Sequence, residues 1–229
     1  MPHTKNTSCL ALIPAYNEAA GVAGVVTAAL AHLPVLVVDD GSTDNTATLA
    51  EAAGAVVVRQ IPNQGKGAAL RAGFRWAMAQ DYQAIIMLDA DGQHDPAEIP
   101  KFLNTYHTTQ ADLIIGERDF RQMPRLRRTT NTIGRWMFSW ALGQPDRDNQ
   151  SGYRLISRRL LEKLVASTES GFEFEVEMIA TCVQQGFKLE WIPIRTIYAG
   201  EKSHIKPGRH VVNFFRIIWQ TRQNTHRTK

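Results

Sequence analysis

The chain predicts a single α/β domain, a mixed, mainly parallel sheet flanked by helices. Three observations predict it. Two apolar runs of four, Val35 to Val38 and Ile85 to Leu88, end abruptly in carboxylates, Asp39-Asp40 and Asp89-Ala90-Asp91. Strands buried on both faces deliver charge to the rim of a sheet in this way. Helix-prone segments alternate with the apolar runs, as in parallel strands joined by crossover helices. Finally, 229 residues at 44% hydrophobic content suffice for one sizeable core. No internal repeat, low-complexity tract or linker divides the chain, so 1–229 reads as one domain.

Taken in order, residues 8–13 form a first strand that ends at Pro14-Ala15-Tyr16-Asn17-Glu18. Ala19 to Ala31 follows as a helix, with Asn17 as its cap and Glu18 in its first turn. Val35 to Val38 is the second strand, and Ser42 or Asp44 caps a helix running to about Ala53. Ala55 to Arg59 is the third strand. Asn63-Gln64-Gly65-Lys66-Gly67 is a glycine loop before a helix from Ala68 to about Gln80, and residues 84–88 are the central strand. Beyond it come a helix at 96–105, a strand at 111–116 and a helix at 129–142. That helix places Ile133, Trp136, Met137 and Trp140 on one face. Helices at 158–166 and 173–184, a strand at 189–197 and an amphipathic segment at 208–222 complete the series.

Composition removes several function classes. Cys9 and Cys182, far apart, form neither a disulfide framework nor a zinc spacing, and fit a reducing cytoplasmic compartment. No signal peptide or membrane-spanning run is visible; the uncharged stretch Ala19 to Val38 is broken by His32 and Pro34. Six arginines (118, 121, 125, 127, 128 and 135) face one acid, Asp119, between 118 and 135. The acidic motifs lie before them, so one half suits a metal and the other an anion. No nucleic-acid-binding pattern accompanies the arginines.

On an extended backbone Asp89 and Asp91 point the same way, with Gln93 joining from that face. Such oxygen ligands suit Mg²⁺ or Mn²⁺, which usually hold phosphates. The alternative is a capped turn, with Asp91-Gly92 as turn chemistry and Asp95-Pro96 opening a helix. The second acidic strand end, on the same rim, weighs for the ligand reading. Gly65-Lys66-Gly67 is not a P-loop, because Gln60 stands where that motif has glycine and Gly67 where it has Ser or Thr. No Gly-x-Ser-x-Gly elbow supports serine hydrolase chemistry. Asp89-Ala90-Asp91-Gly92 is similar to the entry motif of haloacid-dehalogenase-type phosphatases. Gln93 stands where that motif continues with Thr, and three strand-helix units precede it.

Six segments in order resemble family 2 glycosyltransferases of the dolichyl-phosphate mannosyltransferase and polyprenyl-phosphate glycosyltransferase type. They are Ile13 to Glu18, Val37 to Asp44, Asn63 to Gly67, Leu88 to His94, Gly116-Glu117-Arg118 and Asp148 to Arg154. The resemblance implies a GT-A fold, a GDP- or UDP-linked sugar donor and Mg²⁺ or Mn²⁺. It implies a nucleotide-sugar and metal half at about 8–117 and an acceptor half at about 118–222. Pro14, Tyr16, Glu18, Asp39, Asp40, Lys66 and Ala90 would line the nucleotide site. Asp89, Asp91 and Gln93 would hold the cation. Asp148, in an Asp-x-x-Ser-Gly segment, would join Asp91 at the transferring centre, with Arg154 able to pair with it. After residue 160 the likeness thins; Tyr198 to His204 departs from the family's Gly-Glu-Ser-Lys-like segment.

Inverting transfer to a hydroxyl needs a carboxylate base, for which Glu173, Glu175 and Glu177 are candidates. A lipid phosphate is already a nucleophile, since its second pKa is about 6, and calls for arginines instead. Arg118, Arg127 and Arg128 match that need. Transfer to a polyprenyl phosphate is therefore the expectation. A hydroxyl of a lipid or polysaccharide precursor, and a non-catalytic nucleotide-sugar-binding subunit, are the alternatives. A lipid acceptor predicts a peripheral protein at the cytoplasmic membrane face, or one relying on a membrane partner. The segments 129–142 and 208–222 would lie in the interface or dock on the sheet.

Overall fold

The computed structural model describes residues 8–120, 125–167, 171, 173–195, 197, 216, 218, 219 and 221–223, apart from the side chains of 125–130. Strand β1 (Cys9–Ala15) leads to helix α1 (Val22–Leu30), β2 (Val35–Asp39), α2 (Thr46–Ala52), β3 (Val56–Arg59), α3 (Lys66–Ala79) and β4 (Ala84–Met87). A 3₁₀ turn (Pro96–Glu98) opens α4 (Ile99–Thr109). Then follow β5 (Leu113–Glu117), α5 (Arg125–Leu142), β6 (Arg154–Ser157), α6 (Arg158–Leu164), α7 (Glu173–Gln184) and β7 (Leu189–Pro193).

The seven strands form one sheet in the order β3-β2-β1-β4-β6-β5-β7. Neighbours are parallel except at β6, which runs antiparallel to both β4 and β5. The expected α/β class holds. Period-two alternation sorts the strands between two apolar layers. Leu10, Leu12, Leu36, Val38, Ile85 and Met87 pack with α3, α5, α6 and α7. Ala11, Ile13, Val35, Val37, Ile86 and Leu88 pack with α1, α2 and α4.

Two registers set up the rim. Ala15 pairs with Asp39 and Leu12 with Met87, so the acidic ends of β2 and β4 flank the end of β1. Met87 pairs with Arg154 across the antiparallel β4–β6 ladder. The segment entering β6, Asp148 to Tyr153, therefore arrives at the carboxyl end of β4.

Some local expectations change. Asn17 does not cap α1, whose N-cap is Gly21. Asn17 instead adopts φ 55°, and its Oδ1 accepts a hydrogen bond from Thr43 N–H at 2.8 Å. The pull of the neighbouring loop outweighs local capping. Helix α5 buries Asn131, Gly134, Phe138 and Ala141, leaving Ile133, Trp136 and Trp140 exposed. Its aromatic stripe thus faces away from the sheet. From the 208–222 segment, Ile218 is buried in the core and Trp219 is exposed; Val211, Phe214 and Phe215 lie outside the described residues.

Candidate active site

The first wall of the site is the pair of loops after β1 and β2. Asn17 N–H donates to Ser42 Oγ at 2.9 Å, Glu18 N–H to Thr46 Oγ1 at 2.8 Å and Ala19 N–H to Asp44 Oδ2 at 3.2 Å. These contacts lock the two loops together and leave Tyr16 half exposed at the rim. Pro14 lies partly buried beneath it. Asp39 is buried, and its Oδ1 accepts from Ser42 N–H at 3.1 Å.

Asp40, expected in the nucleotide site, is tied to the glycine loop. Its two oxygens accept hydrogen bonds from Gln64 and Gly65 N–H at 2.9 and 2.8 Å. Both oxygens are engaged in holding the glycine loop against β2. Gly41 fits the same junction. Its φ is +78°, and a Cβ there would meet the Asn63 backbone nitrogen at 2.8 Å, so a side chain is barred by conformation and by space. Asp40 thus ties the loop to β2, while Asp39 lies buried beside it at the same strand end.

Lys66, expected in the nucleotide site, has its ammonium 2.7 Å from Asp89 Oδ1 and 2.8 Å from Glu175 Oε1. The second contact is an ion pair by distance that leaves Oε1 without a well-directed hydrogen bond. Burial alone would lower the Lys66 pKa, but Asp89 and Glu175 overcome it and raise the value. Burial likewise would raise Asp89, and the Lys66 ammonium overrides it, holding the carboxyl down at about 2. The placement follows from sheet parity. Asp89 continues the Ile85–Met87 side, which faces α3 and α7.

Asp91 does not lie on extended backbone with Asp89. It occupies a turn and accepts Gln93 N–H on Oδ1 at 2.9 Å. The shared-face argument for the two aspartates therefore gives way to a turn that groups Asp91 with Gln93. Ala90 between them is buried. His94 closes the turn from below: its Nδ1 accepts Asp89 N–H at 3.0 Å. That nitrogen carries no proton, so its 3.7 Å approach to Asp89 Oδ2 is not an ion pair. Burial keeps the His94 pKa below its usual value, in agreement. The ring packs on Tyr153, which stacks on Phe102 and donates its hydroxyl to Asp95 O at 3.1 Å.

Across from this turn, Asp148 is almost wholly buried and gripped by Arg118. Arg118 Nε and one terminal nitrogen lie 2.7 and 2.8 Å from the two carboxylate oxygens, and its N–H donates at 3.2 Å. In this structure both Asp148 oxygens are engaged by Arg118, so the residue expected at the acceptor phosphate and the carboxylate expected at the transferring centre meet each other. Arg154 does not pair with Asp148. Fully buried, it donates to the carbonyls of Asn149, Ser151 and Glu175. It thereby fastens the segment before β6 to the start of α7. Gly152 in that segment abuts Asp89: a Cβ there would lie 2.8 Å from Asp89 Oδ2 and 3.3 Å from Glu175 Oε1.

Arg127 and Arg128 fall in the first turn of α5, and their side chains lie outside those described. Of the three base candidates, Glu175 reaches the site, Glu177 accepts Ser167 Oγ–H at 2.5 Å, and Glu173 is buried against Gly171. Among the described residues no three His, Cys, Asp or Glu side chains form a metal cage. The residues that would hold an ion are Asp89, Asp91 and Gln93. One or two carboxylates, completed by water and substrate phosphates, is the usual provision for Mg²⁺, so these residues fit such an ion.

Sequence reasoning passed over Asp146, named Glu175 only as one of three base candidates, and gave His94 and Gly152 no role of their own. Asp146 is buried, with neither carboxylate oxygen hydrogen-bonded. Burial, and then the Asp148 charge, push its pKa up to about 7. Nothing in the sequence separated Glu175 from the other two base candidates, Glu173 and Glu177, on the same helix.

Comparison with known proteins agrees with this architecture. Residues 11–165 match the family model described as glycosyl transferase family 2. The polyprenol monophosphomannose synthase of Mycolicibacterium smegmatis is 34% identical over 81% of this chain and 76% of its own. The undecaprenyl-phosphate mannosyltransferase of Micrococcus luteus is 32% identical over 90% of this chain and 92% of its own. Among solved structures, glucosyl-3-phosphoglycerate synthase from Mycobacterium tuberculosis, bound to Mn²⁺, UDP and phosphoglyceric acid, superposes with a TM-score of 0.72. It covers 94% of this chain and 77% of that one at 19% identity, a likeness of fold alone. The fold is thus GT-A.

Proposed function

The chain belongs to glycosyl transferase family 2 and is a glycosyltransferase; we propose that it moves a sugar, with inversion, from a GDP- or UDP-linked donor to a polyprenyl phosphate. The observation that carries the reading is the rim itself. The nucleoside wall of Pro14, Tyr16, Glu18 and Asp39 stands beside the Asp89 to Gln93 turn, at the carboxyl ends of adjacent parallel strands. Ligands of open α/β sheets bind at such ends. The names of the relatives from M. smegmatis and M. luteus point to a prenyl-phosphate acceptor.

In this reading residues 8–117 hold the donor and 118–222 the acceptor. Tyr16 offers an aromatic face to the base, and Asp39 accepts from base or ribose hydroxyls. Asp91 and Gln93, backed by Asp89, would hold Mg²⁺ or Mn²⁺, which supplies charge neutralisation for the departing diphosphate. Arg127 and Arg128 grip the acceptor phosphate, whose oxygen needs no base. Arg118 and Asp148 hold the walls of the cleft. No described helix is long and apolar enough to cross a membrane. The exposed Ile133, Trp136 and Trp140, with Arg222 over the Trp140 ring at 4.6 Å, suit peripheral contact with a lipid surface.

The test is label transfer. Labelled nucleotide sugars, Mg²⁺ and polyprenyl phosphate give an organic-extractable sugar, and EDTA abolishes it. Absence of product across GDP- and UDP-sugars refutes the reading.

A further inference from the structure

We infer that Glu175 is a positioning residue for the cation site, acting through Lys66 on Asp89. The inference rests on the proposed cation-binding role of the Asp89 to Gln93 turn. Lys66, at the start of α3, is held between two carboxylates, 2.7 Å from Asp89 Oδ1 and 2.8 Å from Glu175 Oε1. The Glu175 side chain is buried, its Oε1 meets the Lys66 ammonium, and the buried Arg154 guanidinium also interacts with it electrostatically.

The geometry around the three side chains is tight. Both carboxylates border the empty Cβ position of Gly152, at 2.8 and 3.3 Å, so a glycine there gives them room to meet one ammonium. Arg154 donates to the Glu175 carbonyl and to Asn149 and Ser151, fixing the start of α7 against the same segment. Glu175 is therefore anchored by its backbone and presents its Oε1 to the Lys66 ammonium.

The consequence is electrostatic. An ammonium on Asp89 competes with a divalent cation for that carboxylate and repels it. Glu175 takes a share of the ammonium and draws it toward α7, so that the Lys66 charge bears less heavily on Asp89. Without Glu175 the ammonium belongs to Asp89 alone, and the cation loses both a ligand oxygen and local negative charge. The device also joins the acceptor half, through α7, to the donor half, through Asp89.

The experiment is Mn²⁺ binding to the purified, donor-free protein, followed by electron paramagnetic resonance, for the parent, E175Q, K66M and the double variant. E175Q should weaken Mn²⁺ binding on the order of tenfold, the scale seen when outer partners of metal ligands are changed. K66M should bind Mn²⁺ at least as tightly as the parent. In the K66M background E175Q should weaken Mn²⁺ binding by a smaller factor than in the parent, because Glu175 then has no ammonium to place and only its local negative charge is lost. With saturating Mn²⁺, E175Q should recover most of its kcat, while its Mn²⁺ requirement stays raised. A parent that binds no Mn²⁺ overturns the cation site itself. A parent that binds it, with E175Q unchanged or equally weakened with and without Lys66, overturns the role of Glu175 alone. Should E175Q fail to fold, K66M still decides: weaker Mn²⁺ binding by K66M contradicts the competition on which the inference stands.

Discussion

Removing the Arg118 guanidinium separates two readings of that residue. In the structure its side chain is 9% exposed and that of Asp148 1%. The fork makes two contacts below 3 Å, and one backbone N–H adds a third. Taking one partner from a buried ion pair strands the other charge and costs about 3–5 kcal/mol. In R118A the surviving N–H keeps Asp148 partly satisfied, so the lower end, about 3 kcal/mol, is expected. For a chain of this size 1 kcal/mol shifts Tm by about 2–4 °C, so Tm should fall by about 6–12 °C. R118K keeps the charge but loses the planar fork and should fall between the two. R118A/D148N should recover part of the loss, since no buried charge is left alone. Urea unfolding followed by circular dichroism measures the stability. Initial rates at saturating donor, with the acceptor varied, measure the phosphate role. A loss below about 1 kcal/mol together with a steep rise in acceptor KM would refute the structural assignment. Arg118 would then be an acceptor ligand, as its sequence position first suggested.

Other outcomes follow from the same geometry. Asp146 is raised from 3.8 to about 7 by burial and then by Asp148, so the folded state resists its ionisation. That stability is fully present below the unfolded pKa and is lost as pH rises toward 7. D146N should therefore unfold at higher urea than the parent at pH 8, by as much as ~4 kcal/mol, with the difference vanishing near pH 4; identical pH profiles would contradict this. G152A places a methyl 2.8 Å from Asp89 Oδ2 and should lower turnover on the order of a hundredfold with donor-free folding retained; parental kinetics would show that the approach is not tight. R127A/R128A should raise acceptor KM and leave nucleotide binding by calorimetry unchanged. D91A should abolish turnover, and full activity in that variant would remove the cation assignment.

The strands were legible because buried parallel strands write themselves as unbroken apolar runs, and Val35 to Val38 and Ile85 to Leu88 do so. The carboxylates after them were legible for the same reason, since charge after such a run has to surface at a rim. Sequence distance hid the pairings. Lys66 meets Glu175 from more than a hundred residues away, and Arg118 meets Asp148 across the whole of α5. Asp148 pairs with Arg118 rather than with Arg154, an arginine only six residues away that could equally have reached it. Strand β6 is four residues long and begins with a fully buried arginine, so neither period nor composition announced its reversed direction. Asn17 misled through a sound local rule, because its side chain satisfies a loop 26 residues away rather than its own helix.

The most direct measurement is the chemistry of the product. The chain is incubated with its accepted nucleotide sugar, Mg²⁺ and undecaprenyl phosphate, and the lipid product is examined by phosphorus and proton NMR. A phosphodiester at the anomeric carbon, with configuration opposite to that of the donor and release of sugar by mild acid, is the predicted result. A glycoside that survives mild acid, or retained configuration at that carbon, would contradict transfer to a lipid phosphate by inversion.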